Sequence, residues 1–317
     1  MKEQTATSIR NTGSSYTART AAGEEVRCVV KGNFRIRGIR TTNPVAVGDV
    51  VEYTAPGPDG ISYINKVLPR RNYIIRRASN LSKASQIIAS NVDCAVLVMT
   101  LAHPVTSFTF VDRFLATSEA YSVPACIVIN KTDLLEAEDG ELVDAVEYLY
   151  RSIGYSVYAV SAATGAGLDA LAAFLRGKTS LFSGNSGVGK STLINRLIPG
   201  LELRTGEISA AHDTGMHTTT FSEMFDLPGG GAIIDTPGVR GFGVVEFDSA
   251  SVWHYFPEIF AEAGKCRFGN CSHTHEPGCA VIRALEEHRI AQSRYNSYLS
   301  ILEEASEGKA DKYRKPQ

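Results

Sequence analysis

The order of two loops constrains this 317-residue chain more than any other feature. Gly184-Asn185-Ser186-Gly187-Val188-Gly189-Lys190-Ser191 fits the pattern G-x-x-x-x-G-K-[ST] in full. The run Ser180–Ser183 reads as a strand before it, and Leu193, Ile194 and Leu197 mark one face of a helix after it. A strand, a Gly-rich turn and a helix N-terminus together aim backbone N–H groups and partial positive charge at phosphate oxygens. Lys190 is placed to reach terminal phosphates and to act in their transfer, and the Ser191 hydroxyl is placed to bind Mg²⁺. Thr192 closes the loop. A second motif, Asn130-Lys131-Thr132-Asp133, lies upstream of this loop.

The upstream motif has the chemistry of a guanine reader. Guanine presents two adjacent donors, its ring N–H and its exocyclic amine, and one carboxylate such as Asp133 accepts both. Adenine would leave that carboxylate unmatched, at roughly 1–3 kcal/mol or more. Asn130 would brace neighbouring loops, and the stem of Lys131 would cover the base. The motif follows the apolar run Ala125–Ile129, so it sits at a strand's C-terminal end, where α/β folds bind ligands. Ser161-Ala162 follows another strand, Val157–Val160, and reads as a second base-contacting loop.

The remaining nucleotide motifs come in order. Gly215-Met216-His217-Thr218-Thr219-Thr220 has no apolar periodicity and reads as a mobile loop, from which a threonine, Thr219, would complete a Mg²⁺ shell. Asp235-Thr236-Pro237-Gly238 ends the strand Ala232–Ile234. Asp235 would hold Mg²⁺ through water, and the Gly238 N–H would sense the γ-phosphate. Guanine motifs therefore precede the phosphate loop, whereas in ordinary GTPases they follow it. This order predicts an α/β, circularly permuted P-loop GTPase domain, in which the γ-phosphate sensor leads straight into the C-terminal region.

Charge is distributed unevenly. The formal net charge is −2, yet residues 1–90 hold 14 Lys and Arg against 6 Asp and Glu. A basic N-terminal third on an acidic body points to a polyanion partner. The segments Glu25–Val30, Phe34–Gly38, Val50–Thr54 and Ile61–Val67 are short, β-rich and separated by turn residues, which predicts a small barrel of the OB type. Arg35, Arg37, Arg40, Tyr53, Tyr63, Arg70, Arg71, Tyr73, Arg76 and Arg77 interleave basic and aromatic character along it, as RNA binding by stacking and phosphate contact requires. Packing is the competing use of the aromatics. Residues 1–17 are polar and are expected to be disordered, and Leu81–Ser90 to lead into a strand at Val92–Met99. Expected domains are 18–80 for the barrel, 81–243 for the GTPase and 244–317 for a helical metal-binding domain with a basic, mobile tail from Lys309. With no apolar run of membrane-spanning length and no apolar signal region, the expectation is a cytoplasmic protein.

Six cysteines divide into two groups. Cys28, Cys94 and Cys126 sit in apolar runs as core residues. Cys266, Cys271 and Cys279 cluster with histidine in the spacing C-x4-C-x-H-x5-C, where His273 is the fourth candidate ligand and His275 its competitor. Three thiolates and an imidazole make a closed tetrahedral zinc site of the structural kind. Helices are expected at Ala250–Phe260 and Ala280–Ser306, the latter with a packing stripe of Ala284, Leu285, His288, Ala291, Tyr295, Tyr298, Leu299 and Leu302.

On this joint order of motifs, residues 20–300 resemble the small-ribosomal-subunit biogenesis GTPases, the RsgA family. The resemblance implies an OB barrel, a permuted GTPase core and a helical zinc domain. It implies guanine contacts from Asn130, Lys131 and Asp133, the Gly184–Thr192 phosphate loop, the Gly215–Thr219 switch, and Asp235–Gly238. It also implies zinc on Cys266, Cys271, His273 and Cys279, which selects His273 over His275. The implied role is late maturation of the 30S subunit by a monomer that contacts 16S rRNA, cycles between GTP and GDP, and is stimulated by the ribosome. The loop Ser161-Ala162-Ala163-Thr164-Gly165 departs from the family pattern.

The position after the γ-phosphate sensor, where many GTPases carry a water-orienting glutamine, is Val239. His217 is the internal candidate to orient water in its place; contact with RNA or loop shaping are its other uses. Competing readings of the chain are an ATP-dependent P-loop enzyme, a GTP-regulated RNA-binding scaffold without hydrolysis, and a large-subunit assembly GTPase. Asp133 argues against the first, and Lys190, Ser191 and Asp235 against the second.

Overall fold

The computed structural model describes residues 3–13, 15–30, 44–56, 60–77, 85–136, 139–203, 222–236 and 247–313. The expected strand Phe34–Gly38 with Arg35, Arg37 and Arg40, the loop carrying His217 and Thr219, and Gly238 with Val239 lie outside the described residues, as do the side chains of Arg76 and Arg77.

The N-terminal barrel comprises β1 (Glu3–Asn11), β2 (Ser15–Thr20), β3 (Glu25–Val30), β4 (Val50–Thr54) and β5 (Ser62–Val67). Neighbouring strands pair in the order β1-β2-β3-β5-β4, and β4 returns to β1, so the five strands close. All pairings are antiparallel except β3 with β5, which is parallel. Alternate residues point inward: Ala6, Tyr16, Ala18, Cys28, Val51, Tyr53 and Ile64 form the barrel core.

Residues 3–13 and 15–17, expected to lie in a disordered tail, are not one, because β1 and the start of β2 are barrel staves. The polar composition misleads there because the inward positions of β1 include the small Ala6 and Ser8, both buried, rather than large apolar groups. What holds β1 is pairing on both sides, with β2 and β4. Tyr53 is likewise a core residue rather than a stacking platform. Arg70 is spent on a buried ion pair with Asp49, at 2.6 Å.

Leu81–Ser90 does not simply lead into the sheet. A hairpin of β6 (Tyr73–Arg77) and β7 (Ser85–Ser90) straddles the expected boundary at residue 80. The GTPase sheet then runs through β8 (Cys94–Met99), β9 (Ala125–Ile129), β10 (Ser156–Ala159), β11 (Thr179–Ser183), β12 (Glu223–Asp226) and β13 (Ala232–Asp235). Their spatial order is β10-β9-β8-β11-β13-β12, parallel except for β12. The edge strand β12 also pairs with β1 at Arg10 and Glu223, which joins barrel and sheet.

All six residues of β8 are buried, because helices cover both faces. Ala95, Leu97 and Met99 face α1 (Phe108–Ala120) and α2 (Gly140–Ile153). Cys94, Val96 and Val98 face α3 (Leu168–Leu175) and α4 (Lys190–Leu197).

The C-terminal region packs α5 (Pro257–Ala263), α6 (Ala280–Glu286) and α7 (Gln292–Tyr313) around their own core and against Ala116 of α1. The expected helix Ala250–Phe260 is in fact a short 3-10 turn, Val252–Tyr255, followed by α5. Pro257 opens α5 and holds Phe256 extended at φ −119°, which breaks the run. The expected helix Ala280–Ser306 is broken between α6 and α7, where His288 has φ 57° and is exposed, outside the packing stripe. Helix α7 continues to Tyr313, into the segment expected to be a mobile tail.

Candidate active site and metal centre

The direction of the strand order reverses between β8 and β11, and such a point opens a crevice at the strands' carboxyl ends. The phosphate loop leaves β11 there, and the Asn130–Asp133 segment leaves β9. Asn130 is buried and ties three loops together. Its Nδ2 donates to the Val188 carbonyl at 2.8 Å, and its Oδ1 accepts from the Ala162 N–H at 3.1 Å. Close approach demands glycine at two places in the phosphate loop. A Cβ on Gly189, which has φ 84°, would fall 2.5 Å from Asn130 Nδ2, and one on Gly184 would fall 2.4 Å from the Val98 carbonyl oxygen.

The residues expected to read the base lie close together. Thr132 and Asp133 form a 3-10 turn, and Asp133 is exposed to the crevice. Asp133 Oδ1 accepts from Ser161 Oγ at 2.5 Å, and that hydroxyl in turn accepts from the Thr164 N–H at 3.1 Å. Lys131 has φ 64°, and its Nζ donates to the His103 carbonyl at 2.7 Å. On the phosphate side, Asn185, Ser186 and Gly187 line the loop, Val188 is locked in the core, and Ser191 and Thr192 lie in the first turn of α4. The Lys190 ammonium pairs with the Asp235 carboxylate and reaches the Thr236 carbonyl at 3.4 Å. The sheet thus brings the phosphate-loop lysine and the aspartate that ends β13 together across β11 and β13.

Sequence reasoning missed two supports. Arg196 of α4 donates to the carbonyls of Ala162 and Ala163, at 3.0 and 2.7 Å, and so fixes the Ser161–Gly165 loop. No spacing rule flags it. The loop between β8 and α1, which contains His103, was equally unmarked.

Cys266, Cys271, His273 and Cys279 form a second centre, with one ligand atom from each and all four within 4.8 Å of one another. The sulfurs of Cys266 and Cys279 are 3.9 Å apart, close to the edge of about 3.8 Å in a tetrahedron with zinc–sulfur bonds of about 2.3 Å. His273 Nδ1 lies 3.5 and 3.6 Å from the same two sulfurs. His275 is exposed and bonds Thr274 instead, so the fold selects His273.

Glu276 shapes the knot by accepting from the Ser272 N–H and Oγ, both at 2.6 Å, and from the N–H groups of Thr274 and His275. Burial acts to raise its pKa, but these hydrogen bonds win and lower it. Burial pushes the Cys271 thiol up to about 12 and lowers the pKa of the His273 ring. His273 is therefore a neutral imidazole suited to ligation, and a metal must displace thiol protons.

A buried charge cluster joins this region to the GTPase core. Arg294 of α7, fully buried, donates to Asp112 of α1 at 2.8 Å and to Glu258 of α5 at 2.6 and 3.1 Å. Tyr150 of α2 also donates to Asp112, at 2.8 Å. Burial alone would lower the Arg294 pKa, but the two carboxylates overcome it and raise it.

Comparison with known proteins agrees with this architecture. The family model described as RsgA GTPase matches residues 67–245. A protein of Porphyromonas gingivalis named small ribosomal subunit biogenesis GTPase RsgA is 57% identical over 310 residues, covering 96% of this chain and 98% of its own. A protein of the same name from Bacteroides fragilis is 55% identical over 301 residues, covering 95% of this chain and 97% of its own. The crystal structure of YjeQ from Thermotoga maritima superposes with a TM-score of 0.78 at 33% identity, covering 96% of this chain and 99% of that one. YloQ, described as a circularly permuted GTPase, gives 0.75 at 28% identity, covering all of this chain and 97% of that one. With its guanine motifs ahead of its phosphate loop and this match along nearly its whole length, the chain belongs to the RsgA GTPase family of GTP-hydrolysing enzymes.

Proposed function

We propose that this chain binds GTP across the β8/β11 crevice and uses its hydrolysis in maturation of the small ribosomal subunit. The observation that carries the nucleotide reading is the Asn130 amide, which locks the base-reading, second guanine and phosphate loops into one site. Asp133 accepts the guanine donors, with Ser161 orienting its carboxylate, and the stem of Lys131 covers the base. The Gly184–Thr192 loop cradles the phosphates, and Lys190 turns from Asp235 toward the β- and γ-phosphates. Ser191, Thr219 and, through water, Asp235 would hold Mg²⁺, which when bound neutralises charge developing on the transferred phosphoryl group. Gly238 senses the γ-phosphate. His217 orients the attacking water, since Val239 cannot.

The ATP-dependent and non-hydrolysing readings give way to family membership. We infer that Cys266, Cys271, His273 and Cys279 hold a structural zinc. The relatives' shared name, with the basic N-terminal third, supports the 30S subunit and its 16S rRNA as partners of a monomer working in the cytoplasm. Among the described residues no helix is long and apolar enough to cross a membrane.

Single-turnover GTP hydrolysis with and without 30S subunits, paired with pelleting in a non-hydrolysable GTP analogue or GDP, tests the reading. Stimulated phosphate release and tighter pelleting with the analogue are expected, and pelleting should weaken as salt rises. His217→Ala should lose most of the stimulation and keep the binding. Equal pelleting in both nucleotide states would remove the switch.

A further inference from the structure

Within the proposed guanine site, one segment has no assigned role, the loop from Thr100 to Ser107 between β8 and α1. Strand β8 lies between β9 and β11, so this loop emerges between the base-reading and phosphate-binding segments. Three hydrogen bonds close its base. The Thr106 N–H donates to the Thr100 carbonyl at 2.9 Å, the Thr100 N–H donates to Thr106 Oγ1 at 3.2 Å, and Thr100 Oγ1 donates to the Pro104 carbonyl. Thr100 and Thr106 are buried, whereas His103, Pro104 and Val105 project as an exposed tip.

The tip meets both halves of the nucleotide site. The His103 carbonyl accepts from Lys131 Nζ at 2.7 Å. Pro104 sits against the phosphate loop, its Cδ 3.4 Å from where a Cβ on Gly187 would stand. The loop's far end is anchored, because Ser107 caps α1 by accepting from the Phe110 N–H, and α1 is held by the Asp112–Arg294 pair.

We propose that this loop is a latch for guanine nucleotide, with Thr100 as its positioning residue. The Thr100 hydroxyl holds the tip so that the His103 carbonyl faces the ammonium of Lys131. A lysine stem has four rotatable carbons, and its head is a strongly hydrated point charge. Tethering that head to a carbonyl fixes the stem in the place where it covers the base, before nucleotide arrives. The ordering cost is then met by the fold rather than on binding. The same tip limits outward movement of the phosphate loop at Gly187. The latch therefore governs how long nucleotide stays, and leaves the phosphoryl-transfer step to Lys190 and its partners.

The inference rests on the guanine-site reading above, and one experiment separates their failures. GDP release is followed with a fluorescent GDP on the full-length wild type, Thr100→Val, Thr100→Ser and Asp133→Asn. Thr100→Val keeps the shape and loses the donor, so release should quicken about tenfold, the scale of one charge-assisted hydrogen bond. Thr100→Ser should restore wild-type release, and single-turnover hydrolysis of bound GTP should stay unchanged in both. Release at the wild-type rate in Thr100→Val overturns the latch, as does a Thr100→Ser protein as fast as Thr100→Val, since packing would then be the cause. If Asp133→Asn retains wild-type guanine affinity, the base-site reading falls and the latch with it. If Thr100→Val lowers the thermal midpoint, the Thr106→Val and Thr106→Ser pair makes the same comparison from the other side of the loop.

Discussion

The nucleotide crevice and the cysteine knot solve the same problem, the placement of a few polar atoms, by opposite means. In the crevice, Asn130 reaches a carbonyl 58 positions along the chain, and the two meet only because a six-stranded sheet with a core on each face holds their loops in register. In the knot, the outermost ligands Cys266 and Cys279 lie 13 positions apart, and most of the scaffold is turn. Tyr295 donates to the His273 carbonyl at 2.7 Å and Tyr298 to that of Ser272 at 2.6 Å, while Cys271 and Cys279 pack in the C-terminal core. The crevice thus takes its order from hydrophobic burial and should keep its shape without ligand. With the proposed zinc bound, the knot would take its order from an ion, and binding energy there would be folding energy.

Breaking the knot should give the largest effect. Cys271→Ser should lose the metal, whose binding contributes on the order of 10 kcal/mol in small zinc modules. The C-terminal region should then melt while GDP still binds the core. His275→Ala, which touches no ligand atom, should retain about one zinc per chain by metal analysis. A Cys271→Ser protein with normal zinc content would refute the ligand set.

The joint between the two regions comes next. Arg294→Met leaves Asp112 buried without its cation and should destabilise the fold by about 3–5 kcal/mol, read by chemical denaturation. Adding Asp112→Asn should recover part of that loss, because the unpaired charge is gone. A double variant no better than the single one would mean that packing on Phe256, 4.7 Å from the guanidinium carbon, matters more than the ion pair.

The smallest change in structure is expected at the base. Asp133→Asn should weaken GTP binding roughly a hundredfold and improve binding of xanthine nucleotide, which has a carbonyl where guanine has an amine. Thermal stability should barely move, since Asp133 is exposed. Titration of both nucleotides against both proteins reads the swap. Unchanged GTP affinity would take Asp133 out of the site.

Local chemistry was open to reading wherever a function needs contiguous residues. Asn130–Asp133, Gly184–Ser191 and Cys266–Cys279 each carry their donors at fixed spacing, because a turn or helix start positions them by backbone geometry alone. Strands β3, β4 and β9 were equally plain, with β-branched runs between turn residues. Strand β1 was not, because its barrel-facing Ala6 and Ser8 are small and its Ile9 packs in the GTPase core instead. The helix breaks at Phe256–Pro257 and at His288 defeated a periodicity that continues in phase across them.

The sequence by itself determined the permuted order of motifs that marks a GTPase, the Gly-rich loop and the composition of the Cys266–Cys279 cluster. Those follow from residue type and short spacing. Only the tertiary structure decided which residues support them. Arg196 under the Ser161–Gly165 loop and Arg294 between α1, α5 and α7 act on partners at least 33 positions away in the chain, and Thr100 holds a loop whose His103 carbonyl meets Lys131, 28 positions on. Lone arginines and threonines carry no pattern. Their roles arise when a closed sheet and its helices remove water, so that an unmatched charge or hydroxyl becomes costly and a matched one selects the arrangement.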